Sequence, residues 1–293
     1  MLREITRADL TGWLPRWPQD VFKQQRGHLW ICGGGIGTTG APRLAAHGAL
    51  AMGVGLVSLL VPDEVYGVVA SAELEVMVHP DSSRPPGLER ADAVVAGPGW
   101  GLRRQEALRA LLAGDRPLLL DADALNLVAR EEVLAALLAA RRAPTVLTPH
   151  PGEAARLLGL PRAAEVQRDR PAALAALVAR FRCTVVLKGA RTRISSGEDV
   201  WVCPLETNRL ATAGSGDVLA GMIGALLAQG VAAPHAAACG VGLHALAGAR
   251  PGWYRAGMLP DLVARLREEL CGGDRDGRLT RSCGDAGMLR HET

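Results

Sequence analysis

The chain has 293 residues, a formal net charge of +3, 48% hydrophobic and 22% charged side chains, enough for one large α/β domain with a substantial core and too apolar to be disordered throughout. Lys and Arg are scattered among Asp and Glu, which excludes a nucleic-acid footprint and points to a small phosphorylated ligand instead. The six cysteines, at 32, 183, 203, 239, 271 and 283, form no C-x-x-C pair, so neither a zinc site nor a disulfide scaffold is expected, and a reducing cytoplasm suits them.

Met1 to Arg7 lacks the apolar core of a signal peptide. The longest apolar stretch, Val218 to Ala228, falls short of the roughly 20 residues that a membrane span needs, so a soluble protein without a membrane partner is expected. In chain order, buried strands are predicted at His28–Cys32, Gly55–Val61, Asp92–Ala96, Pro117–Asp121, Pro144–Thr148 and Cys183–Leu187. Helical spacing fills the intervals at Pro42–Met52, Leu102–Leu112, Glu131–Arg141 and Ala163–Arg180. Strands apolar on both faces and alternating with helices predict a three-layer α/β/α sandwich around a mostly parallel central sheet. Arg191–Ser195 and Asp199–Cys203 alternate like a hairpin, expected to form an antiparallel edge. Helices at Gly216–Gln229, Pro234–Gly248 and Leu259–Leu270 complete the domain, placed at residues 15–270. Residues 1–14 read as an N-terminal extension and 271–293 as a flexible tail.

Ligands of such sheets bind beyond the carboxyl ends of the strands. Four loops lie there. Gly33 to Ala41 contains Gly35, Gly37 and Gly40 in G-x-G-x-x-G spacing, with Asp63 after the next strand; it reads as a dinucleotide fingerprint or as a tight strand-to-helix turn. Gly97-Pro-Gly-Trp-Gly101 offers close backbone approach through Gly99 and Gly101, or merely a turn. In Thr148-Pro-His-Pro-Gly-Glu153, proline and an acid open a helix in the ordinary way, leaving His150 as either a cap or a ligand contact. The fourth loop, Ala211-Thr-Ala-Gly-Ser-Gly-Asp217, runs straight into an apolar helix. Glycines before a helix let backbone N–H groups converge on an anion, aided by the helix dipole. Asp217 could cap that helix, but Ser215 could do so equally, so the glycines favour a phosphate cradle that presents Asp217 as a base.

G-[ST]-G-D opening a helix resembles the ribokinase superfamily, in which that aspartate is the catalytic base. Together with Pro15-Arg16, Lys23, Gly27, Gly33-Gly34, Gly40-Ala41, Gly97 to Gly101, Asp121-Ala-Asp-Ala-Leu-Asn126, Leu147 to Glu153 and Leu187-Lys-Gly-Ala190, the pattern is similar to the ADP-dependent NAD(P)H-hydrate dehydratase family. That resemblance implies repair of NADH or NADPH whose nicotinamide ring has been hydrated. The S epimer would be dehydrated at the expense of ADP, or of ATP in some members, with Mg²⁺, yielding AMP and phosphate. Carried over by position, Ala41, Gly99, Gly101, His150 and Asp217 would contact the hydrated dinucleotide. Lys188, Gly189, Ala190, Arg191, Thr192, Gly214, Ser215 and Gly216 would contact the adenine nucleotide, and Glu153 would help place Mg²⁺ from behind its direct ligands. The resemblance further implies a homo-oligomer, dimer or tetramer, with any NAD(P)HX epimerase on a separate chain. Thr207-Asn-Arg-Leu210 stands where the family commonly has Asn-Pro-Gly-Met, Ala213 replaces a glycine, and Ala249 stands where an Asp is usual. Two other readings stay open: a Rossmann-type NAD-dependent dehydrogenase using Gly35 to Gly40, and a catalytically silent nucleotide-binding member of the superfamily.

Overall fold

The computed structural model describes residues 1–83, 87–197 and 199–272. Its strands are β1 (Leu2–Glu4), β2 (His28–Cys32), β3 (Leu56–Val61), β4 (Met77–Pro80), β5 (Ala93–Ala96), β6 (Leu118–Leu120), β7 (Thr145–Leu147), β8 (Thr184–Leu187), β9 (Arg193–Ser195) and β10 (Val200–Val202). They make one sheet in the order β1-β10-β9-β8-β7-β6-β5-β2-β3-β4. Among these strands β9 alone runs against its neighbours.

Successive residues of the inner strands face opposite cores, as the two-residue strand period requires. On one side Leu29, Ile31, Val95, Leu119, Val146 and Val186 belong to one core together with residues of α1 (Arg7–Trp13), α2 (Gly40–Ala51) and α3 (Asp63–Ala70). On the other, Trp30, Val94, Leu118, Leu120, Leu147 and Leu187 meet α4 (Gln105–Ala113), α5 (Ala122–Arg130), α6 (Glu132–Ala140), α7 (Pro151–Leu158), α8 (Ala163–Arg168) and α9 (Arg170–Phe181). The first face is completed by α10 (Ser215–Ala228), α11 (Ala233–Ala249) and α12 (Leu259–Cys271). Three layers result. The apolar stretch at Val218–Ala228 is the buried body of α10, and no helix among the described residues is long and apolar enough to cross a membrane.

Helices α2 and α10 approach each other through glycine. A Cβ on Gly221 would overlap the Ala45 carbonyl, and one on Gly48 would overlap that of Val218. This contact fixes where the N-terminus of α10 sits over the sheet.

Several expectations need correction. The hairpin β9–β10 is antiparallel but is not the sheet's edge, because β1 pairs parallel with β10 outside it. Residues 1–14, set apart as an extension, thus supply a strand and a helix to the same fold, with Ile5, Leu10 and Leu14 buried in its core. At the opposite edge β4 was not predicted, nor were α3 and α5. The single helix expected over 163–180 is two, since Asp169 accepts from the Ala172 amide (2.9 Å) and Pro171 can only begin a helix there. The tail expected at 271–293 lies, beyond Gly272, outside the described residues.

Candidate active site

The four glycine-bearing loops leave the carboxyl ends of β2, β5, β7 and the segment after β10, and β6 and β8 add two more at the same rim. Neighbouring strands therefore bring distant motifs together. The first two loops interlock: the Gly34 amide donates to the Pro98 carbonyl (2.8 Å) and Thr38 Oγ1 to the Gly99 carbonyl (2.8 Å). Ala41, opening α2, lies against Gly99, and the Gly101 amide donates to Asp123 Oδ2 (2.8 Å). Gly97 has φ +122°, and a Cβ there would overlap the Asp121 carbonyl. Only glycine lets β5 turn this close to the start of α5.

Beside these loops lies a cluster of charges. Asp121, 2% exposed, accepts through Oδ1 from Lys188 Nζ (2.8 Å) and from Thr148 Oγ1 (2.8 Å). Lys188 Nζ is also 3.9 Å from Glu153 Oε2. Burial opposes charge on Lys188, but Asp121, Glu153 and Asp217 outweigh it and hold the pKa above its ordinary value. Glu153 is pushed up to about 7, by burial first, against the lowering effect of Lys188. Asp217 is likewise pushed up to about 7, by burial and then by the neighbouring charge of Asp121, with Lys188 again opposing. Several carboxylates thus share one ammonium, and the cluster carries excess negative charge.

His150 caps α7. Its Nδ1 accepts from the amides of Gly152 (2.9 Å) and Glu153 (3.3 Å), while Glu153 Oε2 accepts from the His150 amide (2.8 Å). With Nδ1 accepting, the proton of the neutral ring sits on Nε2, which lies 3.3 Å from Glu153 Oε1. Burial and the charges of Lys188 and Arg156 lower its pKa, keeping the ring neutral at pH 7.

The N-terminus of α10 completes the rim. Gly214 caps it at φ +87°, and a Cβ there would overlap Leu44 Cδ1, so the turn admits only glycine. Ser215 is held by the loop itself: its amide donates to the Thr212 carbonyl (3.3 Å) and its Oγ to the Leu210 carbonyl (2.6 Å). Gly216 faces Lys188, whose Nζ would stand 3.5 Å from a Cβ there. A cavity of about 700 Å³ adjoins this turn, lined by Lys188, Gly189, Ala190, Thr192, Cys203, the segment Leu205–Ala211, Ser215, Gly216, Leu219, Val241, His244 and Ala245. No group of three or more His, Cys, Asp or Glu among the described residues is disposed to hold a metal ion by itself. A base, an ammonium and a helix N-terminus converging beside a deep cavity are the elements of phosphoryl transfer.

Residues 29–266 match the NAD(P)H-hydrate dehydratase family. The chain belongs to that family. It is 41% identical to the ADP-dependent (S)-NAD(P)H-hydrate dehydratase of Neisseria meningitidis over 238 residues, 78% of each chain. It is also 38% identical, over 87% of its length, to the bifunctional NAD(P)H-hydrate repair enzyme Nnr of Coxiella burnetii, of which the match covers 52%. The chain spans about half the length of the bifunctional relatives it matches. Among solved structures, the ADP/ATP-dependent NAD(P)H-hydrate dehydratase of Bacillus subtilis, co-crystallised with ATP and Mg²⁺, superposes with a TM-score of 0.78 at 28% identity, covering 90% of this chain and 97% of that one. A ribokinase-like protein of Enterococcus faecalis superposes with a TM-score of 0.81 at 25% identity, covering 92% and 96%. The fold is ribokinase-like.

For a member of the dehydratase family, the placement of the expected site residues divides in an informative way. Ala41, Gly99, Gly101, His150, Glu153 and Asp217 gather at one rim, as do Lys188, Gly189, Ala190, Thr192 and Gly216 at the cavity. Arg191 does not join them, since its guanidinium pairs with Glu4 Oε1 (2.7 Å) on β1. Ser215 lines the cavity, but its hydroxyl is already donated to the loop. The departures from the usual dehydratase pattern, Thr207 to Leu210, lie on the cavity wall and are anchored there: Thr207 Oγ1 donates to the Gly248 carbonyl (3.1 Å), and Leu210 packs on Gly248. Ala249 ends α11 next to this anchor. Membership of the dehydratase family sets the dehydrogenase reading aside, although strand order by itself does not, because β4-β3-β2-β5-β6-β7 follow the doubly wound order. The fingerprint itself counts against it: Asp63, which would hold a ribose hydroxyl, accepts instead from the Ser82 amide (3.1 Å).

Sequence reasoning missed Asp121 and Asp123 as site residues, although Asp-x-Asp immediately after a buried strand was a signal. It also missed Arg170, whose guanidinium donates to the carbonyls of Leu187 (3.0 Å), Lys188 (3.3 Å) and Ala190, tying down the loop after β8.

Proposed function

We propose that the chain catalyses the ADP-dependent dehydration of the S epimer of hydrated NADH or NADPH, returning NADH or NADPH with AMP and phosphate. The observation that carries this reading is the carboxylate of Asp217, tuned to about 7 at the N-terminus of α10 and opposed by Lys188, beside the nucleotide-sized cavity. Family membership and the activity for which the Neisseria relative is named support the substrate pair.

The hydrated ring would lie against Ala41, Gly99, Gly101 and His150, with its hydroxyl toward Asp217. Asp217 takes the hydroxyl proton as that oxygen bonds to the β-phosphorus of ADP and the bond to AMP breaks. Backbone amides of Ala213, Gly214 and Gly216 in the turn and the ammonium of Lys188 stabilise the charge on the transferring group. Phosphate then leaves from the ring carbon while the adjacent ring carbon gives up a proton to solvent and the double bond between the two carbons forms, which completes the loss of water. The adenosine part occupies the cavity lined by Gly189, Ala190, Thr192, Leu219 and Val241.

Excess carboxylate charge at the rim fits a divalent cation brought in with the nucleotide. Mg²⁺ there would neutralise phosphate oxygens, with Glu153 and Asp121 acting from behind through the groups they already hold. ATP is the alternative donor, as the Bacillus relative is called ADP/ATP-dependent. We also place the enzyme in the cytoplasm as a homo-oligomer working together with an NAD(P)HX epimerase; that the longer relatives are named bifunctional repair enzymes supports such a pairing of activities.

The test is direct. Incubation with hydrated NADH, ADP and Mg²⁺ is expected to restore absorbance in the reduced-nicotinamide band. No recovery with either ADP or ATP would overturn the reading.

A further inference from the structure

An arginine at the first residue of a helix is poorly placed, because the positive end of the helix dipole repels its charge. Arg170 opens α9 in this way. It is half-buried; burial, and then the neighbouring charge of Arg193, lower its pKa, and no carboxylate among the described residues offsets them. Its Nε is buried without a partner. A cation held against four unfavourable conditions asks for a reason.

The guanidinium donates to three carbonyls, those of Leu187 (3.0 Å), Lys188 (3.3 Å) and Ala190. All three belong to the loop after β8. It is this loop, and not Arg170, that lines the cavity, through Lys188, Gly189 and Ala190. A Cβ on Gly189 would stand 3.1 Å from Arg170 Nη1, so the guanidinium packs directly against the loop from its other side. In a trans peptide the N–H points opposite to the C=O. Fastening the Lys188 and Ala190 carbonyls to Arg170 therefore turns the amides of Gly189 and Arg191 away from it. Neither amide has an acceptor among the described residues. The Lys188 amide, by contrast, donates to the Pro149 carbonyl (2.9 Å), so residue 188 is gripped from both α9 and the loop after β7 while its Nζ reaches Asp121 (2.8 Å). The clamp also explains a backbone oddity. Arg191 is held at φ +50°, where residues other than glycine are uncommon.

We propose that Arg170 is a positioning residue for the nucleotide: without touching it, the guanidinium turns the amides of Gly189 and Arg191 toward the cavity as donors to the bound nucleotide and sets Lys188 in place. The proposal rests on the reading of this cavity as the nucleotide site. A planar fork suits the task, since one rigid group can hold several carbonyls at once and a lysine cannot.

Arg170→Met removes every donor and keeps an apolar stem. Its KM and calorimetric dissociation constant for ADP are expected to rise at least roughly tenfold, while the KM for the hydrated dinucleotide, held by other loops, stays within about twofold. Arg170→Lys should weaken ADP by a smaller factor, and it carries the test if Arg170→Met does not fold. Leu174→Ala removes a buried side chain one turn further along α9. It controls for lost stability and should lower Tm with both constants unchanged. Unchanged ADP affinity in Arg170→Met, or in Arg170→Lys standing in for it, would overturn the proposal, as would equal weakening of both ligands; Arg170 would then only fasten the fold. A wild type that binds ADP without dehydrating the substrate would sink the functional reading, while the ADP dissociation constants would still decide the role of Arg170.

Discussion

Because burial and the neighbouring carboxylates hold Asp217 protonated up to about pH 7, a base at this position is only half in its working form at neutral pH. The dependence follows with a definite sign. The value of kcat/KM for the hydrated dinucleotide should rise about tenfold per pH unit on the acid side and level off above about 7. Lys188 lowers the pKa of both Asp217 and Glu153, so Lys188→Met should move this acid limb to higher pH as well as slow turnover. Asp217→Asn should lose roughly 10²- to 10⁴-fold in kcat while ADP affinity stays within about threefold. Initial rates across pH 5–9 with calorimetric binding check all three. A flat wild-type profile, or a Lys188→Met limb at lower pH, would contradict the charge cluster as described.

At the scale of elements, the site depends on how closely α10 is seated on α2. Gly221→Ala places a methyl group against the Ala45 carbonyl, and overpacking of this kind costs about 1–3 kcal/mol or more. Gly67→Ala, on an exposed turn of α3 where a Cβ meets nothing within 4 Å, should instead stabilise by about 0.5–1 kcal/mol. Thermal melts of the two variants should therefore move in opposite directions, and only Gly221→Ala should disturb turnover. The elements most legible in the sequence were those under the strongest constraint. Strands β2, β5, β6, β7 and β8 are buried on both faces and read as unbroken apolar runs. Strand β1, Leu-Arg-Glu with every side chain exposed, carries no such signal, and β4 is short and ends in proline. The same contrast holds within the site. Asp217 and Lys188 were visible because glycines and motif spacing surround them. Asp121 acts through partners on β7 and β8 that only the sheet brings near, and Arg170 acts on the loop after β8 from the start of α9.

For the whole molecule, the sheet is extended at its β10 edge by the first residues of the chain. The amide of Ile5 donates to the Val202 carbonyl (3.0 Å) and that of Val200 to the Met1 carbonyl (2.9 Å), extending the sheet past β10. Helix α1 then returns across α11, where Trp13 stacks on His235 at 4.9 Å between ring centroids and Leu10, 3% exposed, fills the space over Gly242. Two consequences separate this arrangement from a loosely attached extension. Leu10→Ala removes a fully packed side chain and should cost about 2–5 kcal/mol, a fall in Tm of roughly 5–15 °C for a domain of this size. Glu4→Ala frees Arg191, which follows directly on the cavity residues Lys188 to Ala190. Since the pair is half exposed, it contributes little to stability, so Glu4→Ala should leave Tm nearly unchanged while raising the apparent KM for the nucleotide. Differential scanning calorimetry with nucleotide-dependent kinetics resolves the two effects. An unchanged melting temperature in Leu10→Ala would mean that residues 1–14 do not belong to the core, and the edge of the sheet would then be β10.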